Sequence, residues 1–394
     1  LQTTRSHKIA LELTAEQEQA LRRAVGVARF TWNWALAEWK AWHKAGKRPT
    51  AMKLKKRFNA VKREQFPWVY DSPRDANAQP FANLGQAFRS FFEGQAKYPK
   101  PKNKGKCRES FYVANDKLRV DGKTITLPRI GAVKMRESLR FEGKITCATV
   151  SCTAGRWFVS ISVEADLPVV RCENQARTVG VDLGVKKLAT ISDGTTFQGP
   201  KPLRGSLRRL RRLSRGLSRK VKGSRNRDKA RLRLARCHAR VAAIRSDALH
   251  KLTTNLVRTY GRIVIEDLNV KGMGRNRRLS RTIADMGFGE FRRQLAYKTQ
   301  PSLTTVVVAD RWFASSKLCR QCGTLNDGLR LKDRTFRCND CGHVEDRDLN
   351  AACNLERYPG LQGNPYACGH PSAGQPDPPT GETGMDEAGI FAYL

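Results

Sequence analysis

The chain has 394 residues, 40% apolar and 28% charged, which excludes a disordered polypeptide and allows two or three domains with their own cores. Lys and Arg number 74 against 36 Asp and Glu, a formal charge of +38 that repels itself unless a polyanion neutralises it. No stretch approaches the roughly 18 consecutive apolar residues of a membrane span. The basic residues run through the whole body of the chain and not through one amphipathic stretch. The expected polyanion is therefore nucleic acid and not a membrane surface.

Leu1-Gln2-Thr3-Thr4-Arg5 opens with neither an apolar signal core nor a cleavage site, so the chain is expected to stay where it is made. The 11 cysteines are an odd number without a secretion signal, which argues against a disulfide framework and for a reducing compartment. Cys107, Cys147, Cys152, Cys172, Cys237, Cys353 and Cys368 show no ligand spacing and read as small buried hydrophobes or bystanders.

In chain order, His7 to Leu13 reads as a strand and residues 14 to 100 as helices, opened by a capping box at Thr14 and Gln17. Phe30, Trp32, Trp34, Trp39 and Trp42 crowd the first helix; stacking on bases is one reading, a helical core stripe the preferred one. A basic connector, Lys97 to Lys106, precedes a change of period to two. Asp121-Gly122 and Ala154-Gly155 then mark two hairpins, and residues 108 to 170 form a small antiparallel β domain or barrel that the first strand could join.

From Thr178 a three-strand meander is predicted, with the turn at Asp193-Gly194. Two helices follow, one carrying Leu203, Leu207, Leu210, Leu213 and Leu217, the other Leu234, Val241, Ile244, Leu252 and Leu256. Between Arg204 and Arg245 stand 17 Lys or Arg residues against one acid, Asp228, a ratio that points to phosphate contact. Arg208, Arg212, Arg215, Arg219 and Lys220 are the candidates for it. Ile263-Val264-Ile265 and Val306-Val307-Val308 read as parallel strands covered on both faces, and the whole order is that of an RNase H-like α/β domain. The tail from Pro359, rich in Pro and Gly and free of Lys and Arg, is expected to be disordered.

Cys319-Arg-Gln-Cys322 and Cys338-Asn-Asp-Cys341, separated by 15 residues and each followed by a glycine, fit one tetrahedral zinc. Four protein ligands leave no open position, so that zinc is structural. A second constellation is acidic. Asp182 is placed mid-strand with Gly180 and Gly184 beside it, leaving room for a metal or phosphodiester; Glu266 ends a buried strand; Asp348 sits where a helix begins. Three converging carboxylates suit hard divalent cations, two of which can activate water and stabilise a leaving oxygen. Asp267, Asp310 and Asp346 compete with them. Alternation sends Asp267 to the face opposite Glu266, and Asp310 is placed to cap the loop to Trp312.

The segments GVDLGVKKLAT (180–190), IVIEDLNV (263–270), DRWFASSKLCRQCG (310–323) and DRDLNAACN (346–354) resemble the TnpB proteins of bacterial insertion sequences, relatives of type V CRISPR effectors. GEFRRQLAYK (289–298) resembles their connecting helix, and the resemblance covers residues 8 to 358. It implies a wedge β-barrel (1–14 and 105–172) carrying a helical recognition insertion (15–104), then a RuvC nuclease (173–310 and 346–358) split by a zinc ribbon (311–345), and a tail at 359–394. It also implies a guide RNA from the transposon end, a double-stranded target opened beside a short adjacent motif, Mg²⁺-dependent cutting, and a location at the bacterial nucleoid in the cytoplasm. Asp182, Glu266 and Asp348 are then the metal-binding catalytic acids, with Asp348 chosen over Asp346 on the resemblance alone. Gln79 falls where relatives contact the adjacent motif. A monomer without membrane contact is expected.

The segment Lys298 to Thr304 lacks the usual Trp-Tyr-Gly, and Ala314 replaces a usual Pro; neither touches the acids. A guide-directed repressor that does not cut is the alternative. A DNA-strand transposase would need a His-hydrophobe-His motif and a Tyr nucleophile, an arrangement not evident here.

Overall fold

The computed structural model describes residues 2–166, 169, 171–330 and 332–358, and the tail from Pro359 expected to be disordered lies outside the described residues. The chain divides into two compact units, residues 2–167 and the chain from residue 168 onward.

In the first unit, β1 (Gln2–Glu12) leads into helices α1 (Ala15–Lys44), α2 (Ala51–Gln65) and α3 (Arg74–Phe92). Strands β2 (Glu109–Ala114), β3 (Arg119–Asp121), β4 (Thr124–Leu127), β5 (Gly131–Met135), β6 (Lys144–Thr153) and β7 (Arg156–Asp166) follow. They form one antiparallel sheet in the order β2-β6-β7-β1-β5-β4-β3. The first strand is its centre, pairing with β7 along Gln2 to Ala10 and with β5 at Leu11 and Glu12. Trp157, Val159, Ile161 and Val163 alternate into the core along β7. No pairing among the described residues joins β2 to β3, so the expected barrel is not closed by backbone hydrogen bonds.

Thr14 and Gln17 form the reciprocal box that starts α1. The aromatic stripe of that helix is core. Trp32 and Trp39 are buried, Trp39 stacks on Phe88 at 4.0 Å between ring centres, and Trp34 meets Phe58 edge-on at 4.9 Å.

In the second unit the strands are β8 (Asn174–Asp182), β9 (Ala189–Ile191), β10 (Thr196–Phe197), β11 (Tyr260–Glu266), β12 (Thr305–Ala309), β13 (Thr335–Arg337) and β14 (Val344–Asp346). The helices are α4 (Pro202–Ser218), α5 (Arg225–Thr259), α6 (Val270–Met273), α7 (Ser280–Met286), α8 (Phe288–Thr299) and α9 (Arg347–Glu356). Five strands make a sheet in the order β10-β9-β8-β11-β12, antiparallel through the meander and parallel from β8 to β12.

Both faces of this sheet are covered, which is why β11 and β12 read as unbroken apolar runs. Ile263 and Ile265 join Leu252 and Leu256 of α5 and Phe291 and Leu295 of α8 on one face. On the other face Val264, Val307 and Ala309 pack with Leu355 of α9. Helices α4 and α5 share a small core of Leu210, Leu234 and Cys237, while Ile244, expected on the packed face, stays 38% exposed.

Candidate nuclease centre

Alternation along the strands decides where the acids go. Val179 and Val181 point to the α5 and α8 face, so Gly180 and Asp182 take the α9 face; by the same rule Glu266 shares the face of Val264. Gly180 pairs with Val264 and Val181 with Ile265, so Asp182 and Glu266 are the next residues on adjacent parallel strands. Asp348 lies in the first turn of α9, the helix that covers this face.

Two expectations need correcting. Asp182 is the last residue of β8, not a mid-strand residue. Gly180 does not leave room for a ligand: a Cβ there would stand 1.9 Å from the Ala352 carbonyl oxygen and 2.5 Å from the Glu356 nitrogen, so its hydrogen admits the backbone of α9. At Gly184 a Cβ would meet the Lys187 carbonyl oxygen at 2.9 Å.

The rival acids are each engaged elsewhere. Asp346 is the N-cap of α9 and accepts from the amides of Asp348 at 2.9 Å and Leu349 at 3.2 Å. Asp267 accepts from Arg292 at 2.7 Å and Arg311 at 2.5 Å, and these contacts, Arg292 first, hold its carboxyl below the ordinary range. Asp310 accepts the Trp312 amide at 2.8 Å, as a loop cap.

The charges of the other two remaining acids bear on Asp182. Burial first, then the charges of Glu266 and Asp348, push the Asp182 carboxyl well above its usual range, with Arg347 opposing. Burial likewise raises Glu266, against the hydrogen bond that Ser315 Oγ donates at 2.5 Å and the charge of Arg347. Arg347 lies 3.7 Å and Arg334 4.0 Å from Asp348 Oδ1.

The cysteine ribbon is more compact. The sulfurs of Cys319, Cys322, Cys338 and Cys341 all lie within 4.8 Å of one another, and no other set of three or more such ligand atoms does so among the described residues, the three carboxylates included. Cys319 and Cys341 are 3.7 Å apart and Cys322 and Cys338 3.5 Å. A Zn–S bond of about 2.3 Å gives a tetrahedral edge of about 3.8 Å, so the donor set and its spacing fit zinc. Gly323 and Gly342, at φ 79° and 71°, turn the two knuckles.

Sequence reasoning missed the link between ribbon and acids. Asn350 donates to the Leu318 carbonyl at 2.8 Å and accepts the Arg320 amide at 3.1 Å; Asn354 donates to the carbonyls of Ser315 at 2.8 Å and Leu318 at 2.6 Å. The signal was available: two asparagines four apart, both poor helix formers, share one face of a predicted helix.

Of the candidate nucleic-acid residues, Arg208, Arg212 and Arg215 lie exposed on α4, where Arg209 and Arg211 line the same recess; Arg219 caps the helix and Lys220 follows, both exposed. Asp285 was also missed. It is 3% exposed, accepts the Leu203 and Arg204 amides at 3.0 and 3.1 Å, and lies 3.6 Å from Arg245, so it anchors the start of α4. Gln79 sits on α3 and donates to Asn83 at 3.2 Å.

A meander continued by parallel strands, with acids at adjacent strand ends and a cysteine ribbon before the last helix, defines a RuvC-containing α/β fold. A solved structure described as "Cryo-EM structure of the Cas12f1-sgRNA-target DNA complex" shares it, at a TM-score of 0.54 and 12% identity, covering 90% of this chain and 99% of that one. Residues 148–277 match an IS605 OrfB sequence family described as "Probable transposase", and residues 288–355 one described as "Cas12f1-like, TNB domain". A chain from Streptomyces pristinaespiralis named "Putative RNA-guided DNA endonuclease" is 37% identical over 360 residues, 90% of this chain and 89% of that one. InsQ of Escherichia coli K12, under the same description, is 35% identical over 370 residues, 88% and 90% of the two chains. The chain belongs to the TnpB family, the OrfB proteins of IS605-type insertion sequences. A family described as "Helix-turn-helix domain" matches residues 3–48, where the structure holds one strand and a single helix of 30 residues.

Proposed function

We propose that the chain is an RNA-guided DNA endonuclease of an insertion sequence, hydrolysing DNA phosphodiesters at Asp182, Glu266 and Asp348. The observation that carries this is the arrangement of the acids: two at adjacent strand ends on one sheet face, the third on the helix covering that face. Burial first, then the charges of Glu266 and Asp348, raise Asp182, an environment in which a cation would favour the ionised carboxylates, and hard oxygen donors fit Mg²⁺. Carboxylates spaced more widely than the zinc ligands also suit a pair of ions about 3.5–4 Å apart. Bound there, Mg²⁺ would supply an activated water and charge stabilisation for the leaving oxygen. Ser315 fixes the direction of Glu266, Asp346 starts the turn that aims Asp348, and Arg347 limits the surplus negative charge.

The four cysteines hold one structural zinc in this reading. The guide RNA comes from the transposon end, and Arg208, Arg212, Arg215, Arg219 and Lys220 contact nucleic-acid phosphate, while Gln79 reads the motif beside the target. Residues 1–14 with 105–172, 15–104, 173–310 with 346–358, and 311–345 act as wedge, recognition, nuclease and ribbon domains.

The test is cleavage of a guide-matched duplex by the protein with its RNA in Mg²⁺, compared with Asp182→Ala. Cutting that disappears in the variant, with target binding retained, supports the assignment. A footprint on uncut DNA from the unaltered protein would make the chain a guide-directed repressor.

A further inference from the structure

Trp312 is 86% exposed, the most exposed large apolar side chain among the described residues. An indole left in water forgoes its burial energy, so it adds little to the stability of the fold. The loop that carries it is nevertheless pinned on both sides. Asp310 donates its amide to Tyr358 Oη at 3.1 Å and caps the Trp312 amide; Arg311 holds Asp267; Phe313 lies edge-on to Tyr358 at 4.9 Å. A bare aromatic ring presented by a fixed loop is pre-organised for an outside partner.

The loop's position and charge say which partner. It leaves β12 at Ala309, the residue paired with Glu266. Three residues beyond Trp312, Ser315 touches Glu266 itself, and three residues of chain reach at most about 11 Å. Arg292 and Arg311, each half exposed, share the single carboxylate of Asp267, so one positive charge stays uncompensated there. An aromatic face beside surplus guanidinium charge is how proteins hold single strands, the ring taking a base and the cations the phosphates.

We infer that Trp312 is a stacking platform for an unpaired base of the strand entering the acid centre, with Arg311 and Arg292 against neighbouring phosphates. The inference rests on the nuclease reading above. Every base has a π face, so the contact tolerates any sequence; a paired base has both faces covered, so the platform discriminates for single strand.

The test is binding of a single-stranded DNA oligonucleotide to the full chain in an Asp182→Asn background, with the matching duplex as control. Trp312→Ala is expected to lower single-strand affinity roughly 5- to 150-fold with duplex affinity and Tm unchanged, and Trp312→Phe to keep most of it. The indole emission that distinguishes the parent from Trp312→Phe should be quenched by the oligonucleotide. Unchanged affinity with no quenching overturns the inference, as does self-association of the parent chain that Trp312→Ala abolishes. If Asp182→Asn still cuts, the acid assignment fails, and the affinities still decide the stacking.

Discussion

Ser315 donates its hydroxyl to Glu266 at 2.5 Å while its own carbonyl accepts from Asn354 at 2.8 Å. One buried serine therefore ties the acid at the end of β11 to the helix that carries Asp348, and through Leu318 both are tied to the first zinc knuckle.

Replacing that serine should expose the link. A hydrogen bond to a charged group contributes about 1.5–3 kcal/mol, so Ser315→Ala is expected to slow cutting roughly ten- to a hundredfold, with guide and target binding unchanged. Single-turnover cleavage beside filter binding measures both. Ser315→Thr keeps a hydroxyl and should recover part of the loss.

Asp346 and Asp348 should separate cleanly. Asp346→Ala removes an N-cap and should cost about 1 kcal/mol of stability, with cutting reduced only modestly. Asp348→Ala should abolish cutting and leave Tm nearly unchanged. Thermal melts and cleavage of the same preparations give the comparison, and the opposite pattern would exchange the two roles.

Gly180→Ala should be among the most damaging single methyl groups in the chain. Its Cβ would overlap the Ala352 carbonyl, and neither strand nor helix can yield without moving an acid, so a loss of about 3 kcal/mol or more is expected. Gly205→Ala on α4 meets nothing within 4 Å and should stabilise by about 0.5–1 kcal/mol. Denaturant melts of the pair check both signs.

Zinc removal should reach beyond the ribbon. With Cys338→Ser or a strong chelator, the backbone at Leu318 and Arg320 loses the geometry that Asn350 and Asn354 grip. Hydrogen exchange is expected to rise at residues 315–325 and also at the start of α9, and cutting to fall in parallel.

Lys298 gives a pH signature. Its ammonium donates to the His250 carbonyl at 2.9 Å and to the hydroxyls of Thr253 and Thr254 at 2.7 Å, yet burial, then Arg258, pull its pKa down to about 8 from 10.5. Between those values the unfolded chain holds more proton than the folded one, so folding stability from this group rises with pH across that window and is lost as pH falls through about 8. Lys298→Met should remove that part of the slope, read as the difference between the two melting profiles.

Much of this was legible in the chain itself. The second-unit sheet could be read because its strands alternate or run apolar according to which faces are covered, and the four cysteines because knuckle spacing leaves few other uses. The choice among acids could not be read. Asp346 and Asp348 are both acids at one helix start, and only the cap hydrogen bonds tell which is engaged. Gly180 was misread because a missing side chain announces a close approach without saying what approaches. Asn350 and Asn354 announce a shared helix face by their spacing, but what they grip went unseen because their partners are backbone groups, as most of Asp285's are.

The seat that Gly180 makes for α9 also fixes when the enzyme can be finished. The strand carrying the first acid leaves the ribosome long before the helix that must lie across it, so until the final described turn of chain is made the sheet has one bare face and an incomplete set of acids. On the proposed assignment, a nascent or prematurely terminated chain would hold its basic helices ready for nucleic acid and still be unable to cut.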